Sequence, residues 1–186
     1  MKGIVFREFI AMVETQFSLE MVDAIITEST LQTDGAYTSV GTYPYEEMLE
    51  LVSHLSTRTA IPVPDLLRAF GRHLFQRFSV IHASYIVNQS SALALLRALD
   101  GHIHVEVRKL YNDTELPSFE CEEQTDDSMV LIYRSKRALA DFAQGLLEGC
   151  IAYFNEPMQI ARQDLPDHTG SHTRFTLKKI AHVNLA

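Results

Sequence analysis

The chain has 186 residues, 46% hydrophobic and 22% charged, enough for one well-packed core or two lobes but hardly for two independent domains. Its formal net charge of −8 argues against a nucleic-acid partner, because neutralising phosphates takes clustered Lys and Arg. No stretch approaches the roughly 20 apolar residues of a membrane span, and neither a disulfide framework nor a Cys-x-x-Cys site can be built from Cys121 and Cys150.

The opening MKGIVFREFIAMVETQF has no uninterrupted apolar core, because Arg7, Glu8 and Glu14 break it, so a signal peptide is not expected and a cytoplasmic location is. Val5, Phe6, Phe9, Ile10 and Val13 instead recur at helical spacing. Ser18 is a plausible N-cap for a second helix, SLEMVDAIITEST, with Met21, Ile25 and Ile26 facing inward. A loop, LQTDGAYTSVGTYP, separates it from a third helical pattern, YEEMLELVSHLSTRT. A fourth, IPVPDLLRAFGRHLFQRF, carries Pro64 and Asp65 in its first turn.

The pattern changes after residue 115. SFECEEQ and SMVLIYR read as strands around the polar turn Thr125-Asp126-Asp127. RALADFAQGLLEGCIAYF is a helix apolar nearly all round, hence largely buried. MQIARQDL and TRFTLKKI read as two further strands around the loop PDHTGSH. The expected class is therefore α+β: a helical N-terminal lobe, a C-terminal lobe with an antiparallel sheet of about four strands, and a ligand-binding cleft between them.

Two segments carry chemistry. In GHIHVEVRKLY, residues 101–111, local alternation would put His102, His104 and Glu106 on one face of a strand as a metal triad. Over a longer window Leu96, Leu99, Ile103, Val107 and Leu110 form a continuous helical stripe, which favours a helix despite the cost of Gly101. His104 then lies at the edge of the stripe and His102 on the opposite side. In YRSKR, residues 133–137, Tyr133, Ser135 and Arg137 fall at i, i+2 and i+4 at the end of an apolar strand. They offer a phenol, a hydroxyl and a guanidinium fork to one place, a donor set suited to a pair of carboxylates.

With both segments in view, the chain resembles the H-NOX family of haem nitric oxide/oxygen binding domains. The family signature Tyr-x-Ser-x-Arg is matched by Tyr133, Ser135 and Arg137, which the resemblance assigns to the haem propionates. His104 stands seven residues before Tyr111 in Leu110-Tyr111, the spacing of the family's proximal ligand, and Pro117-Ser118-Phe119 matches a Pro-x-Phe feature. MKGIVF and Phe70-Gly71 are similar too, so the likeness runs from Met1 to about Ile180. It implies a single domain over residues 1–186, with a distal helical lobe (1–60) and a proximal α+β lobe (61–186), holding haem b with ferrous iron on His104. His102 ranks second as ligand, being nine residues from Tyr111, and Asn112 replaces the family's proline after the tyrosine. The zinc cluster of some bacterial members has no cysteine counterpart here, which leaves His168 and His172 as expected surface histidines.

The hydrogen-bonding positions of dioxygen-binding members correspond to Phe9, Leu74 and Phe142, none of which can donate. The resemblance therefore implies a sensor that takes nitric oxide and carbon monoxide but not dioxygen. It further implies that gas binding weakens the bond from His104 to iron, and that Val5 and Pro117 press on the haem. It implies no enzymatic activity of the domain's own, and a separate partner such as a sensor histidine kinase or a cyclic-di-GMP synthase or phosphodiesterase. Two other functions fit parts of the sequence: a non-haem metal enzyme using His102, His104 and Glu106, and a haem-free interaction module on the same fold.

Overall fold

The computed structural model of the protein describes residues 1–110, 115–166 and 170–180. Helix α1 (Gly3–Gln16) buries Phe6, Phe9, Met12 and Val13, the stripe expected from their spacing. Ser18 opens α2 (Leu19–Glu28) by accepting the Met21 N–H at 3.2 Å, an amide that the first helical turn leaves without an internal partner. Ile25 is buried as expected, together with Val22, while Met21 and Ile26 pack at the margin of the core. Helix α3 (Tyr45–Thr59) follows, then α4 (Val63–Ile81) with Pro64 in its first turn. The loop between α2 and α3 is held by the buried Glu47, which accepts from the Gln32 N–H, the Thr33 hydroxyl and the Tyr37 hydroxyl. Three donors offset the desolvation of that carboxylate. Burial, aided by Glu47, pushes the Tyr37 hydroxyl far above its ordinary pKa.

These four helices enclose one buried cluster, built from Phe6, Phe9, Ile25, Leu51, Leu55, Phe70, Leu74 and their neighbours. A short helix, α5 (Ala83–Ile86), leads to α6 (Ala92–Ala98), capped by the Ser91 hydroxyl on the Ala94 N–H. The chain then widens into one π turn, Leu99–Ile103, before continuing as α7 (His104–Leu110). The helical stripe therefore prevails over the local alternation of HIHVEV. The strand that would have carried a His102, His104 and Glu106 triad is absent, because residues 99–110 are helical throughout.

Strands β1 (Ser118–Gln124), β2 (Ser128–Ser135), β3 (Met158–Asp164) and β4 (Ser171–Lys179) form one antiparallel sheet in the order β1-β2-β4-β3. The β1–β2 turn closes as expected, with the Thr125 N–H donating to the Ser128 carbonyl at 2.8 Å. Helix α8 (Ala140–Tyr153) crosses between β2 and β3. Met129, Leu131, Tyr133, Phe175 and Leu177 of the sheet pack with Leu93 and Leu96 of α6 and with Ala143, Leu147 and Cys150 of α8 in a second buried cluster. Burial pushes the Cys150 thiol up to about 12, so it is an inert core residue, whereas Cys121 is exposed.

The most extensive helix packing joins α4 to α8, and it is a contact of glycines. A Cβ on Gly145 would stand 2.2 Å from the Arg68 carbonyl oxygen, and one on Gly71 would stand 2.4 Å from that of Phe142. Gly149 approaches Phe75 in the same way, at 2.8 Å. Leu139 joins the first cluster, and Phe142 and Leu146 pack against it, so α8 touches both cores. Asp141 of α8 pairs across this seam with Arg68 of α4 at 2.9 Å, and also with Arg162 of β3 at 2.8 Å. Among the described residues no helix is long and apolar enough to cross a membrane.

Candidate functional site

The π turn ends where the His104 N–H reaches the Leu99 carbonyl, and the extra residue of such a turn commonly marks a functional position. One residue into it, Asp100 places Oδ1 2.5 Å from His104 Nδ1. Its other oxygen, Oδ2, accepts the Phe119 N–H of β1 at 2.6 Å. With Nδ1–H engaged by a carboxylate, Nε2 carries the imidazole lone pair. The imidazole is mostly buried, and burial lowers its pKa below the ordinary histidine value while Asp100 opposes that shift. The neutral form, the one that ligates a metal, is thereby favoured.

From His104 the aromatic contacts lead directly to the second segment. The His104 and Phe119 ring centroids are 6.0 Å apart, and those of Phe119 and Tyr133 are 5.1 Å apart. The second distance follows from register, since Phe119 and Tyr133 are paired across β1 and β2. Tyr133 is buried, and desolvation pushes its hydroxyl pKa up, with the Ser135 hydrogen bond and Arg137 opposing.

Arg137 departs from the sequence-based expectation. Strand β2 ends at Ser135, so Arg137 lies in the bend that follows rather than at i+4 of a strand. The bend is closed by the Arg137 N–H donating to Ser135 Oγ at 3.1 Å. That turn, not strand pleating, aims the guanidinium. It sits 5.8 Å from the centre of the Tyr45 ring, and its side chain is only 18% exposed. Its nearest carboxylate among the described residues, Glu115, is at a loose 4.0 Å. Ser135 and Arg137 line a recess of about 300 Å³ together with Glu115, Leu116, Ser118, Arg134 and Lys136. Of its three cationic side chains, Arg134 pairs with Glu120 at 2.8 Å and Lys136 with Glu115 at 3.0 Å, which leaves Arg137 the least engaged and the best suited to anionic oxygens.

The three apolar positions named from the sequence also converge. Phe9 and Leu74 are buried in the first cluster, and Phe142 packs against it. Phe70, which sequence reasoning noted only for its motif, links them: its ring centroid is 5.2 Å from that of Phe9 and 5.1 Å from that of Phe142. Val5 is half-buried against the same cluster, and Pro117 is half-buried just before β1. His172 is not a surface loop residue: it belongs to β4, opposite Arg134, and its Nε2 is buried. Strand β4 starts at Ser171, opposite Ser135, two residues earlier than the expected strand TRFTLKKI, because the β2–β4 ladder extends into the expected loop PDHTGSH. His168, Tyr111 and Asn112 lie outside the described residues.

The profile of the haem-NO-binding family matches residues 2–162 of the chain. The chain belongs to this family. Solved H-NOX structures agree in fold along its whole length. The Fe(II) unliganded H-NOX protein from K. algicida is 39% identical, with a TM-score of 0.92 and 100% of each chain covered. The IWP-051-bound H-NOX from Shewanella woodyi, in the Fe(II)CO state, is 37% identical at a TM-score of 0.83, covering 100% of this chain and 99% of its own. The S. oneidensis H-NOX protein in the Fe(II)NO state is 26% identical at a TM-score of 0.88, covering 97% and 99%. Comparison with curated proteins gives no match.

H-NOX domains are haem-based gas sensors, and the side chains of this one fit a haem. A buried imidazole with Nε2 as its lone-pair nitrogen offers iron a single ligand. Arg137, half-free of Glu115 and turned in by the Ser135 bond, offers carboxylates a fork. Two residues escaped sequence reasoning. Asp100 had a signal, an acid four residues before the histidine on a helix, which the alternation of HIHVEV obscured. Tyr45 had none, since 92 residues separate it from Arg137.

Proposed function

We propose that this H-NOX domain senses nitric oxide, with ferrous haem b held through His104 Nε2 and its propionates bound by Tyr133, Ser135 and Arg137. The observation that carries the reading is the Asp100–His104 bond in a helix whose imidazole lies beside Phe119 and Tyr133, the aromatic step toward Arg137. Bound haem supplies an iron with one open face for a diatomic gas.

The chain's own residues select the gas. Phe9, Leu74 and Phe142 exclude water and donate no hydrogen bond, which withholds support from dioxygen and leaves nitric oxide and carbon monoxide admissible. His104 would transmit the event: a weaker hold of its imidazole on the haem would free α7 from a restraint that favours one of two arrangements. The lobes of residues 1–60 and 61–186 then shift, about the seam where α4 lends its buried residues to the first cluster and packs along α8. Val5 and Pro117 supply pressure on the haem in the restrained arrangement. The output passes to a separate protein, a sensor histidine kinase or a cyclic-di-GMP synthase or phosphodiesterase, within the cytoplasm and without catalysis by the domain itself.

The visible spectrum of the purified, reduced protein tests the assignment. A strong Soret band that shifts on addition of nitric oxide supports it, and no band after haem reconstitution rejects it. Gas selectivity has its own test. Phe142→Tyr places a hydroxyl on a ring already packed 5.1 Å from Phe70, and measured dioxygen affinity of the ferrous protein is expected to rise. An unchanged dioxygen response would remove Phe142 from the distal pocket.

A further inference from the structure

His104 is held by more than its helix. Asp100 accepts its Nδ1–H at 2.5 Å through one carboxylate oxygen and the backbone N–H of Phe119 at 2.6 Å through the other. The two donors come from different elements, a helix and the first strand of the sheet, 15 residues apart in sequence (119 − 104). A carboxylate shared in this way does two things. It fixes the imidazole tautomer, and its negative charge makes the opposite nitrogen a stronger electron donor. It also ties the orientation of the ring to the position of β1, whose Phe119 side chain contacts Tyr133. The backbone is arranged for this. The π turn Leu99–Ile103 contains both Asp100 and Gly101, and a Cβ at Gly101 would meet nothing within 4 Å. Leu99 and Ile103 pack the turn against the buried cluster of the sheet, and the Asp100 bond to the Phe119 N–H adds a directional tie to β1.

We infer that Asp100 is a positioning residue for the proximal ligand: it sets the strength of the His104 bond to iron and conveys release of that bond to β1 through Phe119. The inference rests on the assignment of His104 as the haem ligand. A stronger nitrogen donor gives a bond that gas breaks less readily, so the residue at position 100 tunes the threshold of the sensor. Movement of His104 also pulls on, or lets go of, the first hydrogen-bonded residue pairs of the sheet.

Asp100→Asn and Asp100→Ala test it in the haem-loaded ferrous protein. Asparagine keeps the shape and an acceptor for Nδ1–H, but it removes the charge and can no longer accept from Phe119 while its amide oxygen serves His104. Alanine removes both bonds. The iron–histidine stretching frequency, read by resonance Raman, is expected to fall in Asp100→Asn and further in Asp100→Ala. Haem transfer to an excess of a haem scavenger is expected to accelerate about 10-fold or more. The Phe119 amide, followed by hydrogen exchange in the carbon monoxide form, should lose protection in both variants while the amides of β4 keep theirs. A merely structural role would alter the melting temperature and leave the frequency where it was.

An unchanged stretching frequency in both variants, with His104→Ala still losing haem, overturns the role of Asp100 and spares the ligand assignment. An unchanged spectrum in His104→Ala overturns the ligand assignment and, with it, the role of Asp100.

Discussion

Replacing His104 with alanine is expected to strip the protein of haem. In the proposed site Nε2 of this imidazole is the nitrogen available to iron once Nδ1 is engaged by Asp100, and burial favours the neutral ring. Without it the haem would keep only the proposed contacts of Tyr133, Ser135 and Arg137 at its carboxylates, which would anchor one edge and supply no iron ligand. The purified variant should lack a Soret band, and free imidazole added during expression should restore it by filling the space the side chain vacated. His102→Ala is the control that distinguishes the two histidines and should retain haem without imidazole. The reverse outcome, haem lost in His102→Ala and kept in His104→Ala, would exchange their roles.

The second large effect concerns the seam between α4 and α8. Gly145→Ala puts a methyl group 2.2 Å from the Arg68 carbonyl oxygen, a backbone atom that no rotamer change can move aside. The helices must separate by a large fraction of an ångström or one must bend, and overpacking of this kind costs about 1–3 kcal/mol. For a chain of this size the melting temperature should fall by roughly 2–12 °C. The consequence is not confined to stability. Phe142 of α8 and Leu139 just before it reach the first cluster, Ala143 and Leu147 lie in the second, and Asp141 links Arg68 of α4 to Arg162 of β3, so displacement of α8 disturbs both cores. Thermal or urea unfolding measures the effect, and an unchanged melting temperature would mean that the two backbones are not in such close contact.

The helices α1 to α4 and the four strands were legible because their signals are local. Apolar spacing of 3 and 4 places Phe6, Phe9 and Val13 on one side of α1, and Ser18 caps α2 by accepting the N–H of Met21, three residues on. At residues 101–111 two local signals conflicted, and the longer one prevailed: a helical stripe of five apolar residues spans α6, the π turn and α7, whereas the alternation spans six residues. Class and the β1–β2 and β3–β4 pairings follow once these elements are assigned, since short turns between strands dictate antiparallel pairing, whereas the β2–β4 pairing across α8 and β3 has no such local signal. The likeness to the H-NOX family rests on the same local spacing of Tyr133, Ser135 and Arg137, and on His104 before Tyr111.

What the chain order could not disclose are contacts whose partners lie on different elements. Arg137 was expected on the strand face, yet a bend closed by Ser135 Oγ turns it toward Tyr45. The close approach of Gly71, Gly145 and Gly149 depends on how two helices cross, which no periodicity records. Asp100 stood in the sequence as an ordinary acid four residues before a histidine, and only the arrival of the Phe119 amide from β1 makes it a bridge. Sequence by itself determined which residues form helices and strands and which side chains bring donors, because backbone preference and burial pattern act over a few residues. Tertiary structure decided which nitrogen of His104 is engaged by Asp100 and what that imidazole is tied to, because a hydrogen bond requires two groups to meet at 2.5–2.6 Å, and chain spacing carries no such distance.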